Sequence, residues 1–169
     1  MARRVFFSFH YDEDIWRVNQ VRNSWVTKDW EANTPIDHAS WEALKRKGDA
    51  DVEKWIDKQL DGSGVTVVLV GAYTSTRKFV NYEVKRSAEL KKGLLGVRIH
   101  GLENQKQETS WAGTNPLDNF SIDEPLFAGS TYMTKKKLSE IFKTYDYKLD
   151  KGYENFTKWV EEAAKLAGR

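Results

Sequence analysis

The sequence predicts an α/β fold in which helices cover both faces of a central parallel β-sheet. Three segments are apolar on both sides, as strands buried on both faces should be: Arg4 to Phe9, Val65 to Val70 and Leu94 to Ile99. The connections between them are too long for hairpins and contain amphipathic helical patterns. Strands that alternate with helices in this way form parallel sheets.

The first strand leads into a helix. An acidic run at positions 12–14 opens this helix, and negative charge is favourable at a helix N-terminus. Apolar side chains then recur at helical spacing, which predicts one buried face. They are Ile15, Val18, Val21 and Trp25.

The next part of the chain is less regular. The segment from Trp30 to Gly48 has no clear period and contains Pro35, so we expect a short second strand and a long loop. Asp49 or Asp51 then caps a further helix. Its apolar stripe consists of Val52, Trp55, Ile56 and Leu60.

The stretch from Val65 to Ile99 is the most informative part of the chain. Two apolar strands flank a helical segment of about twenty residues, which together make a parallel βαβ unit. This helix carries Phe79 one turn before Glu83, so the two side chains share a face. Because ligands of parallel sheets bind beyond the carboxyl ends of the strands, we expect a site there. It should contain residues 8–11, 37–41 and 71–76 together with Phe79 and Glu83.

The last third of the chain begins with an irregular segment. Residues 101–131 are rich in Gly, Asn, Gln, Ser and Pro, which indicates an inserted or functional loop. We expect a helix over 134–142, an edge strand over 143–147 and an amphipathic helix over about 153–167. The whole chain, 1–169, is predicted to be a single domain.

Composition excludes several classes of function. The 169 residues carry a formal net charge of +2, which provides no general attraction to nucleic acid or anionic lipid. The absence of cysteine excludes disulfides and thiolate chemistry. We find neither a secretory leader nor an apolar run of the roughly eighteen residues that a membrane span requires. We therefore expect a cytoplasmic protein with no nucleic-acid or membrane partner.

The chain lacks the motifs of several common sites. No GxGxxG follows the first strand and no GxxxxGK[ST] is present, so neither a Rossmann clamp nor a P-loop is predicted. The histidines His10, His38 and His100 are too scattered to indicate a metal site. Ser8 and Ser40 have no nucleophile-elbow context, which argues against a serine hydrolase.

Several segments together resemble a known family. The first strand reads RVFFSFHYDED, a loop follows the second strand, and Phe79 precedes Glu83 by four residues on the helix after the third strand. This order resembles the TIR domain, where the aromatic residue before the glutamate is usually tryptophan. The runs VRNSWV (21–26) and NYEVKRS (81–87) look more specifically like the TIR-like sensor proteins of the Thoeris anti-phage defence system. The likeness covers residues 3 to 100 and the terminal GYENFTKWV.

The resemblance implies a flavodoxin-like three-layer fold and an enzyme that consumes NAD. Such an enzyme cleaves the nicotinamide glycosidic bond and cyclises the remaining ADP-ribose into a signalling nucleotide. Glu83 would be the catalytic carboxylate, and NAD would be a substrate, with no other cofactor and no metal. The predicted substrate-binding residues are Ser8, Phe9, His10, Asp37, Ser40, Trp41 and Phe79; residues 37–41 correspond to the BB loop of the family.

Each of these residues also has a purely structural interpretation. Glu83 could be an exposed helical residue that pairs with Lys85 or Arg86, and Phe79 could belong to the core. Ser8, Phe9 and His10 could pack at the end of a strand, and Trp41 could anchor a long loop.

The resemblance also implies partners. A diffusible nucleotide would activate a separate effector, a phage component would trigger the enzyme, and the active form would self-associate. A different class of function remains open: a non-catalytic TIR-type scaffold that acts only by assembling with other proteins. The two hypotheses differ over the role of Glu83.

Overall fold

The computed structural model describes residues 3–26, 31–32 and 36–169. Its strands are β1 (Arg4–Ser8), β2 (Glu31–Ala32), β3 (Val65–Val70), β4 (Gly93–Arg98), β5 (Ser121–Pro125), β6 (Met133–Lys137) and β7 (Thr144–Asp146). Its α-helices are α1 (Tyr11–Val26), α2 (His38–Arg46), α3 (Asp49–Leu60), α4 (Lys78–Glu89), α5 (Leu138–Ile141) and α6 (Gly152–Leu166). Short 3₁₀ turns occupy Thr74–Thr76 and Pro116–Asn119.

Five parallel strands form the central sheet in the order β2-β1-β3-β4-β7. All six residues of β3 are buried, as the continuous apolar run VTVVLV predicts for a strand covered on both faces. The predicted α/β, flavodoxin-like fold is therefore confirmed. Strands β5 and β6 pair separately as an antiparallel hairpin.

Helices cover both faces of the sheet because side chains alternate along each strand. On one face, Phe7 and Val67 pack with Trp25 of α1 and Trp159 of α6. On the other face, Phe6 packs against α3, and further along the sheet α4 and α5 cover another buried cluster. Full burial of an aliphatic or Phe side chain stabilises the fold by about 1.5–3 kcal/mol, so these contacts fix the three layers.

Most of the predicted elements are confirmed. The edge strand expected over 143–147 is β7, and the terminal helix expected over about 153–167 is α6. The short second strand is β2, whereas Trp30 and Pro35 lie outside the described residues. The expected first strand, Arg4 to Phe9, ends one residue earlier, at Ser8.

The long loop predicted between Trp30 and Gly48 is wrong for its second half, which forms helix α2. Asp37 caps this helix, accepting a hydrogen bond from the Ser40 backbone N–H at 2.9 Å. The helix buries no residue completely, and only Trp41 and Leu44 pack against the cluster around α3. The helix is only nine residues long and contains just two large apolar residues, so the sequence offers few positions from which a helical period can be recognised.

The predictions for 101–131 and 134–142 are also partly wrong. Residues 121–125 form β5, and residues 133–137 form β6 rather than a helix; only Leu138–Ile141 is helical. Pairing overrides helical propensity here, since Asp123 lies opposite Lys135 and Glu124 opposite Thr134.

Among the described residues, no helix is long and apolar enough to cross a membrane.

Candidate active site

A cleft lies at the carboxyl edge of the sheet, between the end of β1, helix α2 and the start of α4. Its volume is about 850 Å³ including the part open to solvent. Its lining includes Phe9, His10, Trp41, Arg77, Phe79 and Glu83. All of these except Arg77 are residues that the sequence predicts for the site.

Glu83 is held at the base of this cleft. It lies on the inner face of α4, and the residue is only 8% exposed. The hydroxyl of Ser8, the last residue of β1, donates a hydrogen bond to Glu83 Oε2. Among the described residues, Oε1 has no hydrogen-bond partner. The carboxyl group is therefore fixed through one oxygen, and its other oxygen remains for a ligand.

Burial strongly perturbs the acidity of this carboxyl group. Desolvation raises the pKa of Glu83 to about 8, and the hydrogen bond from Ser8 offsets only part of that effect. No cation neutralises the carboxylate among its described neighbours. A buried acid with a perturbed pKa at the base of a cleft is typical of a functional group.

The alternative of an exposed, ion-paired Glu83 does not hold in the structure. Its neighbour Arg86 instead contacts Asp57 at 3.1 Å and Glu89 at 3.3 Å. Lys85 is exposed. No local salt bridge among the described residues thus offsets the desolvation free energy of the buried Glu83 carboxylate.

Three aromatic side chains form one wall of the cleft. Phe79 and Trp41 meet edge to face with their ring centroids 5.7 Å apart, and Trp41 packs against Trp55 at 6.0 Å. Both interpretations of Phe79 and Trp41 apply, because each side chain packs on the α3 cluster and also lines the cleft. Such a wall offers apolar surface to a planar base.

His10 lines the cleft as an uncharged group. Burial, followed by the nearby Arg77 guanidinium, lowers the pKa of His10 below its ordinary value of 6.5. The imidazole is therefore neutral at pH 7. Its Nδ1 is buried and has no hydrogen-bond partner within the described residues, which suits a binding group better than a general acid.

Three predicted substrate-binding residues, Ser8, Asp37 and Ser40, do not line the cleft, and neither does the expected segment 71–76. Ser8 is fully buried and reaches the cleft only through its hydrogen bond to Glu83. Asp37 and Ser40 are exposed at the start of α2, where the Asp37 carboxylate accepts hydrogen bonds from the Ser40 N–H and from the Ser40 hydroxyl at 2.6 Å. These bonds lower the pKa of Asp37. Their structural role is to begin the helix that carries Trp41.

Sequence reasoning missed the cations at the mouth of the cleft. Lys45, Arg77 and Lys78 all line it. Lys45 contacts Glu42 at 2.6 Å, and Lys78 pairs with Asp49. Arg77 has no ion-pair partner among the described residues. Its position just before α4 is the only sequence signal, because a helix N-terminus attracts anions.

Folding also brings Asp12 close to His38 and Glu42, which lie one turn apart on α2. Their ligand atoms lie within 4.8 Å of one another near the rim of the cleft. The group is largely exposed, and Glu42 is already paired with Lys45. This cluster was not predicted, since His38 was judged too isolated from other ligands.

Comparison with known proteins agrees with this geometry. Residues 6–104 match the family model described as Thoeris protein ThsB, TIR-like domain. The matched range contains every residue of the site described above. A Bacillus cereus (strain MSX-D12) protein named "Putative cyclic ADP-D-ribose synthase ThsB1" is 32% identical to the chain over 191 aligned residues. The alignment covers 95% of this chain and 100% of that relative.

Proposed function

Because this chain belongs to the Thoeris ThsB family of proteins with a TIR-like domain, we propose that it cleaves NAD at the nicotinamide glycosidic bond and cyclises the ADP-ribose. The observation that carries the proposal is Glu83, a buried carboxyl group bonded to Ser8 at the base of an aromatic-walled cleft. The name of the B. cereus relative, a cyclic ADP-D-ribose synthase, supports the same reaction class.

The first step breaks the bond between ribose C1′ and the pyridinium nitrogen. The bonding electron pair moves to that nitrogen, so nicotinamide departs as a neutral molecule and C1′ becomes cationic. A neutral leaving group needs no general acid, unlike the oxygen of an ordinary glycoside. A site with one carboxylate and a neutral His10 is therefore sufficient for departure.

Glu83 would stabilise the cationic ribose. In its ionised form the carboxylate binds ribose hydroxyl groups and lowers the energy of the oxocarbenium-like transition state. A positioned group of this kind contributes about 3–4 kcal/mol in a water-poor site. Ser8 is a positioning residue, since its hydroxyl fixes the orientation of the carboxyl group.

Cyclisation requires that water be excluded and that the ADP-ribosyl group be folded back on itself. An internal nucleophile then forms a bond to C1′, and one proton is released overall. The wall of Trp41 and Phe79 would hold a base, and Phe9 and His10 line the same cleft. Arg77, which lacks an ion-pair partner among the described residues, would bind the diphosphate.

In the cell, the cyclic nucleotide would activate a separate effector protein during anti-phage defence. A phage component would trigger synthesis, and self-association would complete the active form. NAD is the substrate in this scheme, and no further cofactor or metal takes part.

The proposal is tested by incubating the purified protein with NAD, with and without phage lysate, and measuring free nicotinamide by chromatography. Wild-type protein should release nicotinamide, and Glu83→Gln should reduce the rate at least about a hundredfold. Glu89→Gln is the matched control, because Glu89 lies on the same helix but is exposed; its rate should equal that of wild type. Equal rates for wild type and Glu83→Gln would contradict the role of Glu83.

A scaffold function is the alternative, and one observation favours it. The tip of the β5–β6 hairpin exposes four large apolar side chains, as a protein-binding surface does. They are Leu126, Phe127, Tyr132 and Met133. If no condition yields nicotinamide, and if Glu83→Gln protects cells from phage as well as wild type does, the scaffold function replaces the enzymatic one.

A further inference from the structure

A second recess lies at the opposite edge of the sheet from the cleft. It is formed where β1, β3 and β4 begin, between the α3–β3 loop and the end of α4. Its volume is about 1190 Å³ including the part open to solvent. Its lining contains six cationic side chains and two acidic ones, whereas the chain as a whole is nearly neutral. The cations are Arg3, Arg4, Lys58, Arg86, Lys92 and Arg169.

Four of these cations have no ion-pair partner among the described residues: Arg4, Lys58, Lys92 and Arg169. The other two are neutralised, since Arg3 contacts Glu161 at 3.1 Å and Arg86 contacts Asp57 at 3.1 Å. Opposing charge comes from the carboxylate of Asp61, which is one full negative charge. It also comes from the C-terminal ends of α3 and α4, and each helix end is equivalent to about −0.5 charge. The recess therefore keeps an excess of about two positive charges.

Lys92 is the unusual member of this group, because its ammonium is buried. The residue is 6% exposed, and Nζ donates one hydrogen bond, to the Ser63 carbonyl oxygen at 2.6 Å. Burial, and then repulsion from Arg169, lowers the pKa of Lys92. An ammonium can donate three hydrogen bonds, so donors remain for a bound anion. The Asp61 carboxylate attracts this ammonium without contacting it and offsets part of the shift in pKa. A buried cation with no carboxylate in contact among the described residues is costly to the fold unless a ligand completes it.

Backbone contacts hold the other groups in place. The Arg169 guanidinium donates to the Lys91 and Leu90 carbonyl oxygens at 2.8 and 3.0 Å, which leaves three of its five N–H donors. Gly62, with φ +76°, turns the α3–β3 loop so closely around Arg4 that a Cβ there would lie 3.4 Å from Nη1. Hydrogen bonds to the backbone thus position Lys92 and Arg169 in the recess.

We propose that this recess is a binding site for a small ligand with a multiply charged phosphate group. Planar guanidinium groups from Arg4 and Arg169 match the oxygen geometry of phosphate, and Lys92 supplies a point charge from below. Among the described residues that line the recess, Leu90 is the only apolar one and none is aromatic. Recognition is therefore directed to the phosphates and not to a stacked base.

Isothermal titration calorimetry with tripolyphosphate, at constant ionic strength, tests this site. Wild type should bind, and the double variant Arg4→Gln/Arg169→Gln should bind at least about tenfold more weakly, since each loses charge-assisted hydrogen bonds. Lys92→Met is avoided, because a change at a buried position could prevent folding. The matched control is Lys135→Gln/Lys136→Gln, which removes the same charge from exposed positions of β6.

A third variant, Arg77→Gln, determines whether tripolyphosphate enters the cleft instead. Wild-type affinity in Arg77→Gln and in the β6 control, with weak binding only in the recess variant, supports the proposal. Three results would overturn it: no binding to wild type, equal loss in the recess and β6 variants, or loss in Arg77→Gln alone. This outcome is independent of NAD cleavage, because the recess and the cleft lie at opposite edges of the sheet.

Discussion

At the residue scale, the proposed function depends on the environment of Glu83. Its carboxyl group is buried, bonded to Ser8 and not paired with a cation among its described neighbours. A purely structural role does not explain this arrangement, because an ionised side chain without a cationic partner is costly to bury. The same arrangement leaves a carboxylate with few competing partners when a cationic ribose forms.

The burial of Glu83 predicts that Glu83→Gln stabilises the protein at high pH. A raised pKa of about 8, against an ordinary 4.5, favours the protonated form in the fold. The stabilisation by this group is complete below pH 4.5 and is lost as the pH rises through 8. Glutamine does not titrate and still accepts the Ser8 hydrogen bond. We expect the variant to melt on the order of 5 °C higher than wild type at pH 8.5.

Thermal melts from pH 5 to pH 9 check this prediction. The difference in Tm between Glu83→Gln and wild type should shrink as the pH falls toward 5. Glu89→Gln, which changes an exposed carboxylate on the same helix, should show no such trend. A variant that melts lower than wild type at every pH would show that burial of the Glu83 charge has been misjudged.

The pKa of Glu83 also predicts the pH dependence of catalysis. If the ionised carboxylate stabilises the ribose cation, kcat/KM should rise about tenfold per pH unit below pH 8 and then level off. The profile of kcat should level off at a lower pH, because the pyridinium charge of bound NAD favours the carboxylate. Initial rates of nicotinamide release, corrected for spontaneous NAD decay, provide both profiles. A flat profile between pH 6 and 9 contradicts the assignment.

At the element scale, helix α2 begins at its cap residue Asp37 and carries Trp41, which belongs to the aromatic wall of the cleft. Asp37 does not line the cleft, whereas Trp41, one turn further along, does. The predicted substrate-binding role of Asp37 and the capping role seen in the structure lead to different mutational effects.

Capping predicts that Asp37→Ala lowers the Tm and raises KM for NAD several-fold, because α2 and Trp41 are held less firmly. Asp37→Asn should behave like wild type, since asparagine caps helices equally well. Steady-state kinetics and thermal melts of both variants check this. If Asp37→Asn raises KM as much as Asp37→Ala does, the carboxylate itself contacts the substrate and the capping account is wrong.

The elements also show where sequence reasoning succeeds. Strands β1, β3 and β4 were predictable because each is an unbroken apolar run, and α6 because its apolar side chains keep helical spacing. Helix α2 was missed because it has only nine residues, of which Trp41 and Leu44 are the large apolar ones. Strand β6 was missed because its three lysines favour a helix locally and only the pairing with β5 reveals a strand.

At the scale of the whole molecule, the position of the site was predictable and its chemistry only in part. The spacing of Phe79 and Glu83 places both on one helix face, and the parallel sheet places that face near the end of β1. Ser8 and Glu83 are 75 residues apart in the sequence, so no local sequence pattern predicts their hydrogen bond. Arg77 has no ion-pair partner among the described residues, and the recess gathers cations from separate segments. Both features depend on which distant charges the fold brings together.

The whole fold therefore places two candidate sites of different chemistry at opposite edges of one sheet. The cleft combines a buried carboxyl group with aromatic side chains, whereas the described lining of the recess contains several unpaired cations and a single apolar side chain, Leu90. Parallel topology explains the separation, because all strand ends of one kind meet at the same edge.

The most direct test of the central claim is a crystal structure of the protein with a non-hydrolysable carba analogue of NAD. We predict that the ring replacing the nicotinamide ribose lies in the cleft, with a hydroxyl group about 2.6–3.2 Å from a Glu83 carboxylate oxygen. An analogue bound in the cleft with this ring far from Glu83, or bound elsewhere on the protein, would contradict it.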